Sequence, residues 1–388
     1  MLDLNAELAA RERSGLRRRQ RVLAPAGPAR VRDEHGRVLR VFCSNDYLGL
    51  AGDPRPAEAM ARAGKHGAGA GAAHLLGGHR PEHAELEAAC ARLAGRDRAL
   101  VFASGYAANV AVIDALTRRG DHVLQDRLNH ASLIDGARLA GARLRRYRHG
   151  DVDHLARCLA RVPGDRTLVV TDGVFSMDGD VAPLAALAER TAAHRAWLMV
   201  DDAHGFGVLG AGGGGSVAAA ALGVDAVPVL VGTLGKAFGV GGAFVAGDEA
   251  LIEFLVQAAR PWVYSTAMPP PMAAAATEAV AIAERESWRR DHLQALVRRF
   301  RAGAGALGLS LMPSETPIQP LVIGDSTAAL AASDALERAG FLVSAVRPPT
   351  VPRGSARLRV TLSAAHEPGD VDALLAALAD LPLPEQGQ

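Results

Sequence analysis

The chain has 388 residues, with 43 basic against 42 acidic side chains and a formal charge of +1. Apolar residues make up 49% and charged ones 22%, proportions of a folded globular protein that exclude extended disorder. The charge balance gives no whole-molecule attraction to nucleic acid or an anionic membrane. The three cysteines, Cys43, Cys90 and Cys158, are spaced too widely for a Cys-x-x-Cys metal site or a disulfide framework.

Along the chain, Glu7, Arg11, Glu12 and Arg13 precede any apolar run, unlike a secretory or transit segment, so a cytoplasmic location is expected. Residues 1–24 read as a charged amphipathic helix with an arginine-rich end, Leu16-Arg17-Arg18-Arg19. A strand pair is expected around 29–43. Short apolar runs then recur at 99–103, 122–125, 168–171, 197–200, 228–231 and 243–246, with helical patterns at 82–94, 107–118, 151–161 and 182–194. Short buried strands alternating with helices predict an α/β fold with a largely parallel sheet covered on both faces. The uncharged stretch 203–224 is broken by eight glycines, which argues against a membrane span. Met268-Pro269-Pro270-Pro271 interrupts the pattern, and 272–302 reads as one long helix or two close ones. Strands at 318–323, 341–346 and 357–362, with helices at 326–339 and 369–380, complete a smaller α/β domain. The expected division is an N-terminal arm, 1–44, packing with the small domain; a large cofactor-binding domain, 45–270; and the small C-terminal domain, 271–388.

Some patterns lead to ordinary structure. Gly210-Ala211-Gly212-Gly213-Gly214-Gly215 matches G-x-G-x-x-G, but it follows no strand directly and lacks the acidic partner of a dinucleotide site, so a flexible surface loop is expected. His79 and His83 have a metal-ligand spacing, but Pro81 lies between them and no third ligand is evident, so no metal is expected. The arginines at 11–21 read as a solvated helical face.

The stronger signal lies at the C-terminal ends of the strands, where α/β folds bind ligands. One strand ends in Asp201-Asp202-Ala203-His204-Gly205, another in Thr233-Leu234-Gly235-Lys236, and a third leads through Ser104-Gly105-Tyr106 into a helix. Lysine occurs only at Lys65 and Lys236. Set among glycines and apolar residues, Lys236 is expected to be desolvated and nucleophilic. An acid and a lysine on two strand ends suggest pyridoxal phosphate, the lysine holding the aldehyde and the aspartate pairing with the ring nitrogen. The turn at Ser104–Ala107 can offer N–H donors to the phosphate.

Asn45-Asp46-Tyr47-Leu48-Gly49-Leu50, Asn129-His130-Ala131-Ser132, Gly173-Val174-Phe175-Ser176-Met177-Asp178-Gly179-Asp180, Asp201-Asp202-Ala203-His204-Gly205, Thr233-Leu234-Gly235-Lys236 and Tyr264-Ser265-Thr266 together resemble the α-oxoamine synthase family, in order and over essentially the whole chain. The resemblance implies a fold-type-I pyridoxal-phosphate-dependent transferase and a homodimer with active sites at the subunit interface. It makes Lys236 the Schiff-base lysine and Asp201 the partner of the ring nitrogen. His204 and Ser176 approach the ring's phenolic oxygen, and His130 stacks on the ring and meets substrate. Gly105, Tyr106 and Thr233 hold the phosphate, with Ser265 and Thr266 added from the neighbouring subunit. Asn45 and Arg359 would hold the amino-acid carboxylate, and Arg17 and Thr350 the acyl substrate.

Arg347-Pro348-Pro349-Thr350-Val351-Pro352-Arg353-Gly354, Arg357-Leu358-Arg359 and Leu16-Arg17-Arg18-Arg19 resemble most the members that condense L-alanine with a pimeloyl thioester, carried on coenzyme A or an acyl-carrier protein. The implied products are 8-amino-7-oxononanoate, a biotin precursor, CO2 and the free thiol. Phe206, Gly241 and Ala243 depart from common family patterns, which leaves the cofactor chemistry intact but can reshape the acyl pocket; His74 stands where several relatives of other specificity carry a different residue, so it bears on substrate choice. A sister synthase using glycine with another acyl-CoA is the alternative. The Asn129–Ser132 block argues against an aminotransferase, and the complete set of site residues argues against a binder without turnover.

Overall fold

The computed structural model describes residues 2–18 and 20–381; Arg19, in the arginine-rich run, lies outside them. Helix α1 (Leu4–Arg13) starts on Asp3, whose carboxylate accepts from the N–H groups of Asn5 and Ala6, both at 3.1 Å. It ends at Ser14, followed by Gly15 at φ +64°, rather than extending to residue 24. None of its side chains is buried, so tertiary packing gives the short helix little support. Strands β1 (Ala24–Pro25), β2 (Arg30–Arg32) and β3 (Val38–Val41) follow as an antiparallel ribbon.

Leu48–Ser176 and Val181–Arg290 form one compact unit. It opens with α2 (Pro54–Ala63), capped by Asp53 through the Arg55 N–H at 3.1 Å, and continues with α3 (Pro81–Ala94). Next come β4 (Arg98–Phe102), α4 (Gly105–Leu116), β5 (His122–Asp126), α5 (Ala131–Leu139), β6 (Arg143–Tyr147) and α6 (Val152–Leu159). β7 (Thr167–Asp172), α7 (Leu184–Ala193), β8 (Trp197–Asp201), α8 (Gly215–Ala219), β9 (Val229–Thr233) and β10 (Ala243–Gly247) complete the sheet region. The strand order is β4-β10-β9-β8-β7-β5-β6. β5 to β9 run parallel, and β10 is antiparallel to both its neighbours.

The six sheet strands expected from apolar runs are all present. β6 escaped that pattern because Arg-Leu-Arg-Arg-Tyr contains no apolar run. It is an edge strand with only Tyr147 buried, where charge is tolerated and blocks unwanted pairing. Leu100, Val112, Val123, Leu133, Val170, Met199, Val231 and Val245 belong to one buried apolar cluster, which fixes the strand ends relative to α4 and α5. Helices α9 (Glu249–Ala258), α10 (Arg260–Val263) and α11 (Pro270–Arg285) follow. The prolines open α11 rather than break the chain, because the first helical turn needs no N–H from them. α11 packs on α2 and α3, so this compact unit runs to Arg290, beyond the boundary expected at 270.

The glycine run 210–215 lies only partly on the surface: Ala211 and Gly212 are exposed, but the second half is not. Gly213, Gly214 and Gly215 are buried, and the fully buried Asp202 carboxylate accepts from the Ser216 N–H at 2.6 Å and its hydroxyl at 2.7 Å. A Cβ on Gly215, at φ +90°, would stand 2.0 Å from Asp202 Oδ2. Gly215→Ala is therefore expected to destabilise the protein by about 2–4 kcal/mol through strain and overpacking; a urea midpoint unchanged from wild type would contradict this.

The chain up to Tyr47, Met177–Asp180 and the chain from Asp291 onward form the other unit. α12 (Trp288–Ala306) leads to β11 (Ile318–Gly324), α13 (Ser326–Arg338), β12 (Phe341–Leu342), β13 (Ser344–Val346), β14 (Ala356–Thr361) and α14 (Pro368–Ala379). The single strand expected at 341–346 is split at Val343: β12 pairs with β3, and β13 with β14. β14 also pairs with β11. The N-terminal segment is tied in by the Thr361 N–H donating to the Phe42 carbonyl at 2.8 Å and the Ala364 N–H to the Tyr47 carbonyl at 2.8 Å.

His366 stacks on Phe42 at 4.2 Å. Its Nδ1 accepts from the Ser363 N–H at 3.0 Å, and its Nε2 donates to the Val41 carbonyl at 2.9 Å. Burial lowers its pKa from 6.5 to about 4. The unfolded chain binds this proton near pH 6.5, whereas the folded one excludes it until about pH 4. Its contribution is thus complete above pH 6.5 and lost as pH falls to about 4, roughly 3 kcal/mol at most. In that window wild type should take up about one more proton on unfolding than His366→Gln; equal pH slopes in urea titrations would refute it.

Candidate active site

Asp201 ends β8 and lies in register with Asp172 at the end of β7. Its Oδ2 accepts from Asn109 Nδ2 at 2.6 Å and its Oδ1 from the Ala203 N–H at 3.0 Å. Asn109 is a buried residue of α4 whose amide also donates to Ser132 Oγ at 2.9 Å. Ser132 Oγ lies 2.7 Å from His130 Nδ1. The directions close consistently if Ser132 donates to Nδ1, which leaves the proton of neutral His130 on Nε2. Asn109 and Asp172 were not among the residues expected at the site. Asn109 lies inside an Ala/Val-rich helical pattern, where an isolated amide carries no motif; Asp172 ends an apolar run without a lysine or histidine beside it.

Asp172 is buried, and its carboxylate accepts from the His130 N–H at 3.1 Å. Burial and the neighbouring Asp201 raise its pKa well above the ordinary carboxylate value, so the neutral acid is favoured beside Asp201. Asn129 fastens this turn to β7: its Nδ2 donates to the Val170 carbonyl at 2.8 Å, and its Oδ1 accepts from the Asp172 N–H at 3.1 Å.

Lys236 follows β9 in a tight turn, with the Gly239 N–H donating to its carbonyl at 2.9 Å. Gly239 has φ +67°, and a Cβ there would lie 2.2 Å from Ala51 N, so the turn requires glycine. Lys236 Nζ is half-buried and 2.9 Å from His204 Nε2. Both residues, with Asp201, His130, Ser176, Thr233, Gly105 and Tyr106, line one cavity of ≈ 180 Å³. Thr233 Oγ1 donates to the Gly242 carbonyl at 3.0 Å and accepts from the Gly235 N–H at 3.3 Å.

Helix α4 points its N-terminus into this cavity. Ser104 caps the Ala107 N–H at 3.2 Å, leaving the Gly105 and Tyr106 N–H groups at the helix start for an anion. The donor set fits pyridoxal phosphate: helix-start amides for a phosphate, an amine for an aldehyde, and an oriented carboxylate for a ring nitrogen. A Cβ on Gly105 would stand in open space, so the protein leaves room where the phosphate would approach.

In the smaller unit, Arg359 reaches Asn45 Oδ1 at 3.3 and 3.4 Å, and Tyr47 donates to the same oxygen at 3.2 Å. Arg17 pairs with Glu12 at 3.2 Å, and Arg18 donates to Thr350 Oγ1 at 3.2 Å. Arg18, Arg347 and Thr350 line a second cavity, ≈ 170 Å³.

Phe206 is buried edge-on against Phe244 at 4.9 Å and does not line the Lys236 cavity. Ser265 and Thr266 are exposed, with Thr266 bridged to Ala73. His74 supplies the third histidine missing beside His79 and His83, their ligand atoms lying within 4.8 Å of one another. It stacks on Trp262 at 4.7 Å rather than entering the Lys236 cavity. His83 Nδ1 accepts from the Arg80 N–H and its Nε2 donates to the Met268 carbonyl, both at 2.8 Å, so both ring nitrogens are occupied by the fold.

The sequence pattern of class I and II aminotransferases matches residues 39–378. An 8-amino-7-oxononanoate synthase of Alkalilimnicola ehrlichii is 63% identical over 379 residues, covering 97% of both chains. One from Pseudomonas fluorescens is 57% identical over 380 residues, covering 97% of this chain and 96% of that one. Among solved structures, a serine palmitoyltransferase variant of S. paucimobilis with PLP and myriocin bound superposes with a TM-score of 0.91 at 29% identity, covering 97% and 96% of the two chains.

Proposed function

From a chain that belongs to the class I and II aminotransferase family, and within it to the α-oxoamine synthases, we propose the decarboxylating condensation of L-alanine with a pimeloyl thioester to 8-amino-7-oxononanoate. The observation that carries this reading is the convergence of Lys236, Asp201 and the α4 N-terminus on one cavity in a chain 63% identical to a synthase of that name. Pyridoxal phosphate is the cofactor, supplying a carbonyl that condenses with amines and a ring that accepts an electron pair from the substrate's α-carbon.

Gly105 and Tyr106 would hold the phosphate through their N–H groups. Asp201, oriented by Asn109 and Ala203, would keep a proton on the ring nitrogen. Lys236 Nζ would hold the aldehyde carbon and, once displaced by alanine, take the α-proton. His204 adjoins Nζ and can polarise it; His130, braced by Ser132, would offer Nε2–H toward substrate. Ser176 and Thr233 would complete the cofactor contacts. Asn45 and Arg359 would hold alanine's carboxylate, a bidentate task suited to guanidinium. In the net reaction the α-carbon gives up its proton and bonds to the thioester carbonyl, the thiolate leaves and is protonated to the free thiol, the former alanine carboxylate departs as CO2, and a proton returns to the α-carbon in its place. We also propose a homodimer in which a second copy contributes Ser265 and Thr266, with coenzyme A or an acyl-carrier protein bearing the acyl group.

The test supplies the PLP-loaded protein with a panel of amino acids and thioesters and identifies the product. Alanine with pimeloyl thioester should be preferred; a preference for glycine with acetyl- or succinyl-CoA would overturn the substrate assignment. Arg17, Arg18 and Thr350 are proposed at the acyl end, where a remote carboxylate needs a cationic partner. Arg17→Ala and Arg18→Ala should each raise the KM for the pimeloyl thioester severalfold, up to about tenfold, with alanine binding followed by cofactor absorbance unchanged. Weakened alanine binding with an unchanged thioester KM would contradict this.

A further inference from the structure

The sheet ends on one side in β6, and this edge carries positive charge out of proportion to the chain's net +1. Between Gly136 and Gly150 stand five arginines, Arg138, Arg143, Arg145, Arg146 and Arg148, and no acid. All five are exposed. Arg138 and Arg148 meet Asp135 and Asp151 at 3.6 and 2.9 Å, and Arg146 donates to the Arg127 carbonyl. Arg143 and Arg145, two residues apart on one face of the strand, take part in none of the ion pairs among the described residues. Their field is felt next door: His122, paired with Arg143 across the strands, is held below the ordinary histidine value by burial and then by Arg143, Arg145 and Arg166. Edge pairing can be blocked by a single charge, whereas a run of one sign directs a field outward.

Resting on the condensation proposed above, we propose that this edge docks an acidic acyl-carrier protein presenting the thioester. β6 runs parallel to β5, and β5, β7 and β8 are parallel in turn; Tyr147 stands opposite Asp126, so β6 ends at the same end of the sheet as Asp172 and Asp201. Three strand spacings separate β6 from β8, about 14 Å, a gap that a carrier's flexible pantetheine arm bridges. A run of one sign along an exposed strand edge offers a complementary face to a small acidic protein.

The experiment compares PLP-loaded wild type with Arg143→Glu/Arg145→Glu on pimeloyl-loaded acyl-carrier protein and on pimeloyl-CoA. The double variant should lose about tenfold or more in kcat/KM with the carrier-borne thioester, through KM, and less at high salt. With pimeloyl-CoA it should stay within about twofold of wild type. Arg143→Gln/Arg145→Gln should show a smaller loss of the same selectivity if charge reversal disturbs folding. Fluorescence anisotropy of the labelled carrier in its thiol form reads docking without turnover. Carrier binding that the substitutions abolish supports the docking site even if wild type forms no product, a result that would defeat the condensation reading alone. Equal losses with both thioesters, carrier binding unaffected by the substitutions, or binding of RNA or anionic vesicles in place of the carrier would overturn it.

Discussion

Lys236→Ala is expected to lower turnover by about 10³-fold or more while the protein stays folded, since it removes both covalent attachment of the cofactor and a proton-transfer group, the latter alone typically worth about 10²–10⁴-fold. The fold should tolerate the change because Lys236 is half-buried at a cavity wall and its side chain meets His204 rather than the apolar cluster. The turn itself is held by backbone bonds, from Leu234 N–H to the Gly242 carbonyl and from Gly239 N–H to the Lys236 carbonyl, both 2.9 Å, which alanine retains. Borohydride reduction of the wild-type holoenzyme followed by peptide mapping should place the cofactor on Lys236. Attachment to Lys65, or near-normal turnover of Lys236→Ala, would remove the centre of the reading.

Asp201→Asn should have the next largest effect. The substitution keeps the volume but removes the negative charge expected to hold the ring nitrogen protonated. Both carboxylate oxygens accept hydrogen bonds, from Asn109 Nδ2 and from the Ala203 N–H. An asparagine has one acceptor oxygen, so its NH2 must face a donor or force Asn109 to turn over. Asn109 Oδ1 is buried without a hydrogen-bond partner and could receive that NH2, but Ser132 would then lose its donor and His130 part of its support. Turnover should fall by about 10²–10⁴-fold, while the fraction of protein carrying PLP falls far less. Near-normal turnover with PLP bound would sink the assignment. Asp202 is no substitute: its carboxylate is turned into the glycine loop toward Ser216, and burial pushes its pKa up to about 7.

What the sequence determined by itself was local and repetitive: apolar runs long enough to be buried strands, helices between them, and unusual residues at strand ends. The parallel sheet was legible for that reason, and so were Lys236, Asp201, His204 and the helix start at Gly105, because strand ends are where side chains escape the packed layers. Tertiary structure alone decided matters that depend on partners distant in the chain. Arg143–Tyr147 becomes a strand through pairing with β5, which overrides its lack of an apolar run. Gly213–Gly215 are buried because Asp202 needs backbone and hydroxyl donors close by, something composition cannot express. Asn109 and Asp172 enter the site through contacts spanning 92 and 42 residues, to Asp201 and His130, and no local pattern encodes such a pairing. That Arg18 meets Thr350 rests on a contact spanning 332 residues of the chain. A charge run specifies that arginines are present; only the folded backbone specifies which of them faces a partner.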